Sequence, residues 1–179
     1  VIDSPAMMVP AKLLHPVVEC ELVAKLAADL PSRPRPYTRE EVAAAVASLH
    51  PGIEVAECRF TRDAAFPPIT AILADGSGSG SIVLGPPIEN WRQRDVAGQQ
   101  VTLHVNGVLR GQGTAAAAID HPLEPLTWLA NELSRTGIGL KAGQVVSTGT
   151  LTGMIRGRPG ETHVASYGAL GEVRVQFVA

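Results

Sequence analysis

The stretch Pro16-Val17-Val18-Glu19-Cys20-Glu21-Leu22-Val23-Ala24 sets two carboxylates inside an apolar run. A run of this length, rich in β-branched residues, reads as a strand. Side chains alternate across a strand, so Glu19 and Glu21 share one side with Val17 and Val23. Two like charges on a covered apolar face raise each other's pKa and resist desolvation. A bound divalent cation offsets both effects, and paired oxygen ligands favour Mg²⁺ or Mn²⁺ over Zn²⁺. The alternative is a strand whose acids line a wet edge.

A third acid strengthens the metal reading. Glu54 lies in the strand-like stretch Ile53 to Phe60 and shares a side with Ala56 and Cys58, while Glu57 points the other way toward a local pairing with Arg59. Glu19, Glu21 and Glu54 would give Mg²⁺ three protein ligands and leave positions open to water or substrate, as a catalytic metal requires.

The rest of the chain predicts an α+β domain on a mostly antiparallel or mixed sheet. Thr38 and Glu41 form a capping box. Val42, Ala45, Val46 and Leu49 follow at helical spacing, and Pro51-Gly52 ends that helix. A second helix carries Leu123, Leu126, Leu129, Ala130 and Leu133 on one face, with Gly137 at its C-terminal end and Trp128 beside the stripe as a core residue. Ile69 to Ala74, Ile82 to Leu84, Val101 to Val105, Val145 to Gly149, the region of His163 and Val173 to Val178 read as strands. Asn106-Gly107 marks a type I′ hairpin. The Gly/Ser stretch from Gly76 to Ser81, including Ser79, is a flexible loop able to close over a ligand.

The 179 residues suit one domain, and 45% of them are apolar. A net charge of −2 with scattered signs argues against a nucleic-acid or membrane-surface partner, and no run is long and apolar enough to span a bilayer. Cys20 and Cys58 are read as buried free thiols of a cytoplasmic protein. No dinucleotide or P-loop fingerprint occurs. His121 before Pro122 is read as a local cap.

Taken in order, these motifs resemble the 2-keto-4-pentenoate hydratases and 4-oxalocrotonate decarboxylases of the fumarylacetoacetate hydrolase superfamily. Pro16 to Glu21 is similar to their P-x-V-E-x-E strand, and Pro51-Gly52-Ile53-Glu54 to the strand of their third metal ligand. His121 to Asn131, Gly137 to Gly143 and Thr148 to Gly153 resemble their H-P-L, G-x-x-L-x-x-G and T-G-S/A segments, and Tyr167-Gly168 with Leu170-Gly171 their closing hairpin. The resemblance implies a β-rich roll of mixed sheets with flanking helices. It implies Mg²⁺ or Mn²⁺ on Glu19, Glu21 and Glu54, with Thr148, Gly149, Thr150 and Ser79 near the substrate. It also implies a small α-keto or enol acid substrate, and a homo-oligomer associated with a pathway decarboxylase.

The expected reaction is addition of water to a 2-hydroxy-2,4-dienoate, giving a 4-hydroxy-2-keto acid, in the breakdown of aromatic compounds. The alternatives are decarboxylation of 4-oxalocrotonate and a non-catalytic partner subunit of such an enzyme. The family's proton-transfer lysine and acid precede this region. The chain opens in mid-pattern at Val1 without a methionine, so residues 1–179 are expected to form a single catalytic domain without that N-terminal segment.

Overall fold

The computed structural model describes residues 1–57, 59–60 and 67–178. The strands are β1 (Ile2–Asp3), β2 (Ala6–Met8), β3 (Pro16–Leu26), β4 (Val46–Glu57), β5 (Ser81–Leu84), β6 (Val101–Val105), β7 (Val108–Gly113), β8 (Val145–Ser147), β9 (Ile155–Arg156), β10 (Thr162–Ser166) and β11 (Glu172–Phe177). The helices are α1 (Arg39–Ala45), α2 (Ile69–Ala74), α3 (Ala115–Ala118) and α4 (Leu123–Arg135).

Two mixed sheets share one core. The first runs β1-β5-β4-β3-β8, with β9 also paired to β3, and the second runs β2-β11-β10-β6-β7. Period-two alternation decides what lies between them. Val18, Cys20, Leu22, Ile53, Val55 and Val83 of the first sheet and Leu103, Ala165, Val173, Val175 and Phe177 of the second are buried in one cluster. The opposite face of β3 is therefore free to carry Glu19 and Glu21.

The core of β3 is long because β4 pairs with it from Pro16↔Glu57 to Leu26↔Val46. This corrects the expected helix through Leu49. Helix α1 stops at Ala45, and the chain continues directly into β4. Val46 and Leu49 fit a helical spacing, but pairing with Leu26 and Ala24 fixes them in a strand. Nor is Pro51-Gly52 a stop, since both residues lie within β4. The Pro51 carbonyl accepts the Gly85 N–H, so its backbone polar edge faces away from β3 and its missing N–H removes no bond of the β3–β4 ladder.

The stretch Ile69–Ala74 is a short helix, not a strand; Pro68 precedes its first turn and Asp75 closes it. An apolar run this short carries no decisive periodicity. Helix α4 keeps its predicted stripe, with Leu123, Leu126 and Ala130 buried. Gly137, at φ +79°, follows its end, and the Ile138 N–H returns to the Leu133 carbonyl. Trp128 is 64% exposed, which corrects its expected place in the core. Asn106 and Gly107 both have positive φ, as a type I′ hairpin requires. Cys20 is a buried free thiol; Cys58 lies outside the described residues. Among the described residues, no helix is long and apolar enough to cross a membrane.

One irregularity shapes the site. β8 pairs with Val23 to Lys25 and β9 with Val17 and Val18, both antiparallel to β3. Between them residues 148–154 leave the ladder beside Glu19 and Glu21, and hydrogen bonds that include the Leu151 N–H to the Cys20 carbonyl keep the loop against the sheet.

Candidate metal centre

Register brings the three acids together. Glu19 stands directly opposite Glu54, and Glu21 stands opposite Gly52. Directly paired residues share a face, so all three carboxylates rise from one side of the β3–β4 ladder. Carboxylate oxygens of Glu19, Glu21 and Glu54 lie within 4.8 Å of one another. Gly52 has a steric reason. A Cβ there would lie 2.5 Å from Val23 Cγ2, so the valine packs over the glycine beside Glu21.

Glu21 is the most enclosed of the three, at 3% exposure. Its Oε2 accepts the Gly149 N–H at 2.7 Å and the Ser147 hydroxyl. Gly149 sits at φ +114°, a conformation that favours glycine, and this turn aims its N–H at the carboxylate. Glu19 and Glu54 are half-buried, and among the described residues no hydrogen bond or ion pair neutralises either. All three are held above the usual carboxylate range. Burial is the main cause for each, and it drives Glu54 to about 7 with added repulsion from Glu21 and Glu19. Glu19 is raised by burial and by Glu21. Glu21 is raised by burial, against the pull of Ser147 and the Gly149 and Thr148 backbone.

Three converging carboxylates with no cationic side chain paired to them among the described residues fit a hard divalent cation. The donors are all oxygen, and three leave part of an octahedral shell open. Nothing in the cluster suits a soft metal, since the neighbouring Cys20 points into the core.

The other expected site residues are placed as follows. Gly149 touches Glu21 through its N–H. Thr148 is buried, with its hydroxyl donating to the Leu22 carbonyl at 2.7 Å. Thr150 lies one residue beyond Gly149 and donates to the Gly153 carbonyl at 3.1 Å. Ser79 is exposed on its loop, its carbonyl accepting from the Arg59 guanidinium, and among the described residues no hydrogen bond joins it to the acids. Glu57 does not pair with Arg59. Its Oε1 accepts the N–H groups of Leu14 and His15, while Arg59 binds Asp75 at 3.0 Å. His121 accepts the Leu123 N–H on Nδ1, a cap at the start of α4.

Two contributors escaped the sequence. Ser147 stood inside the strand expected from Val145 to Gly149, which ends at Ser147 itself, and its bond to Glu21 was not readable. Tyr167 stood within the closing hairpin motif. Its side chain is fully buried, and its hydroxyl lies 2.9 Å from the Glu21 carbonyl and 2.5 Å from that of Gly52. It thus ties the second sheet to the point where β3 and β4 carry the acids. Burial raises its phenol well above the ordinary value.

The fold and this acid centre define the class. The family model described as Fumarylacetoacetate (FAA) hydrolase C-terminal matches residues 2–178, and the chain belongs to that family. Within it, the chain is 33% identical over 168 residues to a 2-keto-4-pentenoate hydratase of Burkholderia vietnamiensis, covering 93% of this chain and 62% of that protein. It is 31% identical to a 4-oxalocrotonate decarboxylase of Pseudomonas putida, covering 94% of this chain and 62% of that one. The solved structure of 4-oxalocrotonate decarboxylase from Pseudomonas putida G7, complexed with magnesium and adipate, superposes with a TM-score of 0.88 at 28% identity, covering 99% of this chain and 66% of that one. The chain thus spans about 62% of the length of these curated relatives.

Proposed function

We propose that this chain is the catalytic domain of a metal-dependent hydratase that adds water to a 2-hydroxy-2,4-dienoate, giving a 4-hydroxy-2-keto acid in the breakdown of aromatic compounds. The observation that carries the reading is the convergence of Glu19, Glu21 and Glu54 within 4.8 Å. Similarity to a 2-keto-4-pentenoate hydratase supports the same reaction.

Glu19, Glu21 and Glu54 would hold Mg²⁺ or Mn²⁺. When bound, the metal supplies electrophilic stabilisation of negative charge on the substrate's C2 oxygen. Gly149 and Ser147 fix Glu21 in one orientation, so the acid is set before the cation arrives. Thr148, Gly149, Thr150 and Ser79 are the residues assigned by the resemblance to meet the substrate carboxylate. Proton transfer belongs to a general acid and base; the resemblance assigns these to a lysine and an acid of the family's N-terminal segment. The setting implied is a cytoplasmic homo-oligomer working beside a pathway decarboxylase.

Decarboxylation of 4-oxalocrotonate is the second reading, favoured by the close superposition on that decarboxylase. The same chelate serves both reactions. The test is turnover by the full-length protein with Mg²⁺. Consumption of 2-hydroxypenta-2,4-dienoate without CO₂ release is the expected result. Turnover confined to 4-oxalocrotonate, with CO₂ release, would assign the decarboxylase. Metal binding with neither turnover would assign a non-catalytic subunit.

A further inference from the structure

Strand β7 meets the loop beside the acids backbone to backbone. Gly111 pairs with Leu103 and Gly113 with Val101 across β6. Leu103 and Val101 are buried in the core, and directly paired residues share a face, so both glycines face inward. What stands over them is the loop between β8 and β9. A Cβ on Gly113 would lie 2.0 Å from the Leu151 carbonyl oxygen. One on Gly111 would lie 2.8 Å from the Thr152 carbonyl oxygen and 3.2 Å from Thr152 Cβ. A close-packed interior cannot take such an addition without movement, and here the neighbour that must move is main chain.

The same two loop residues hold β3 on their other side. The Leu151 N–H donates to the Cys20 carbonyl at 2.8 Å, and the Thr152 hydroxyl accepts the Cys20 N–H at 3.4 Å. Cys20 lies between Glu19 and Glu21 in the chain. Residues 151–152 are thus held between the β7 glycines and the peptide groups that join two of the acids. Two residues before Leu151, the Gly149 N–H reaches Glu21 Oε2 at 2.7 Å.

We infer that Gly111 and Gly113 are positioning residues for the acid centre. Lacking side chains, they let β7 back residues 151–152 against Cys20, and so set where the Gly149 N–H meets Glu21. The consequence for Mg²⁺ rests on the metal-centred reading above.

The test uses Gly111→Ala and Gly113→Ala, with Gly139→Ala as the control. A Cβ on Gly139 would lie 2.6 Å from the Leu30 carbonyl oxygen, a clash of the same kind, but at the Leu30–Leu140 bridge beyond the end of β3. Hydrogen exchange of the Gly149 amide, followed in isotope-labelled, metal-free protein, reads its contact with Glu21. Both β7 variants should lose Gly149 protection relative to the core amides of β10. In calorimetry their Mg²⁺ affinity should fall by about tenfold or more, the usual cost of disturbing an outer-shell partner. Gly139→Ala should lower the unfolding midpoint and keep both readouts. Should Gly113→Ala fail to fold, the milder clash of Gly111→Ala decides. Gly149 protection in Gly111→Ala equal to that in Gly139→Ala would overturn the positioning role and leave the glycines as packing alone. Absence of Mg²⁺ binding to the unaltered protein would instead overturn the metal-centred reading, and the Gly149 amide would still decide the role of β7.

Discussion

Glu19 and Glu54 face each other directly across β3 and β4, carboxylate to carboxylate, with no cationic side chain between them among the described residues. An antiparallel ladder disfavours like charges at directly opposed positions. A cation bound between them would offset that repulsion, and loss of either acid should be read first in metal affinity. Glu54→Gln and Glu19→Gln should each weaken Mg²⁺ binding strongly while leaving the circular dichroism spectrum intact. Calorimetry showing unaltered Mg²⁺ affinity in both variants would remove the metal assignment.

The same crowding makes metal binding depend on pH. Glu54 is raised from 4.5 to about 7, so folding favours its protonated form. Its contribution to stability is present below about pH 4.5 and is lost as pH rises through about 7. In metal-free protein this group therefore favours the folded state less at pH 8 than at pH 5, and Glu54→Gln should flatten that difference in thermal unfolding. Mg²⁺ must displace the proton. Its affinity should fall as pH drops below about 7, and titrations near that value in buffers of different ionisation enthalpy should reveal proton release.

Ser147 tests how far orientation matters. Its hydroxyl and the Gly149 N–H both reach Glu21 Oε2. Ser147→Ala should lower Mg²⁺ affinity by about tenfold or more, the usual cost of losing an outer-shell partner, with little change in the unfolding midpoint of metal-free protein. An affinity equal to that of the unaltered protein would show that Gly149 alone sets the carboxylate.

Tyr167 tests the scaffold beneath. Tyr167→Phe would leave the buried Glu21 and Gly52 carbonyls without their shared donor. The expected loss is about 1–3 kcal/mol in denaturant unfolding, with a further loss of Mg²⁺ affinity as the β3–β4 register loosens. A stable variant with normal affinity would show that the ladder holds its own register.

The acid face was legible because the period of two is strict. Once Pro16 to Ala24 is a strand, Glu19 and Glu21 must share a side, and Glu54 follows by the same rule in its own strand. Their mutual opposition was not legible, because register depends on where β4 begins. That start was hidden by Val46 and Leu49, whose spacing suits a helix as well as a strand, and by Pro51-Gly52, which usually ends an element. The sheet overrode both signals by supplying Leu26 and Ala24 as partners. Ile69–Ala74 was misread for a related reason, since six residues carry too few turns to show a period. Tyr167 and Ser147 act through contacts 146 and 126 residues away from Glu21, and no local pattern encodes such distances.

The break between β8 and β9 divides the labour of the site. The acids stand on two long strands, where a shift of one residue would turn every side chain to the wrong face. The residues proposed to meet the substrate at Thr148 to Thr150 sit instead on a loop that has left the ladder, and loops accept changes of length and composition at little cost to the fold. On the proposed function, descendants of such a scaffold could exchange one enol acid for another by rewriting residues 148–154 while the strands of the acids stay fixed. The acids are then inherited with the sheet, and the proposed choice of substrate is left to the interruption in it.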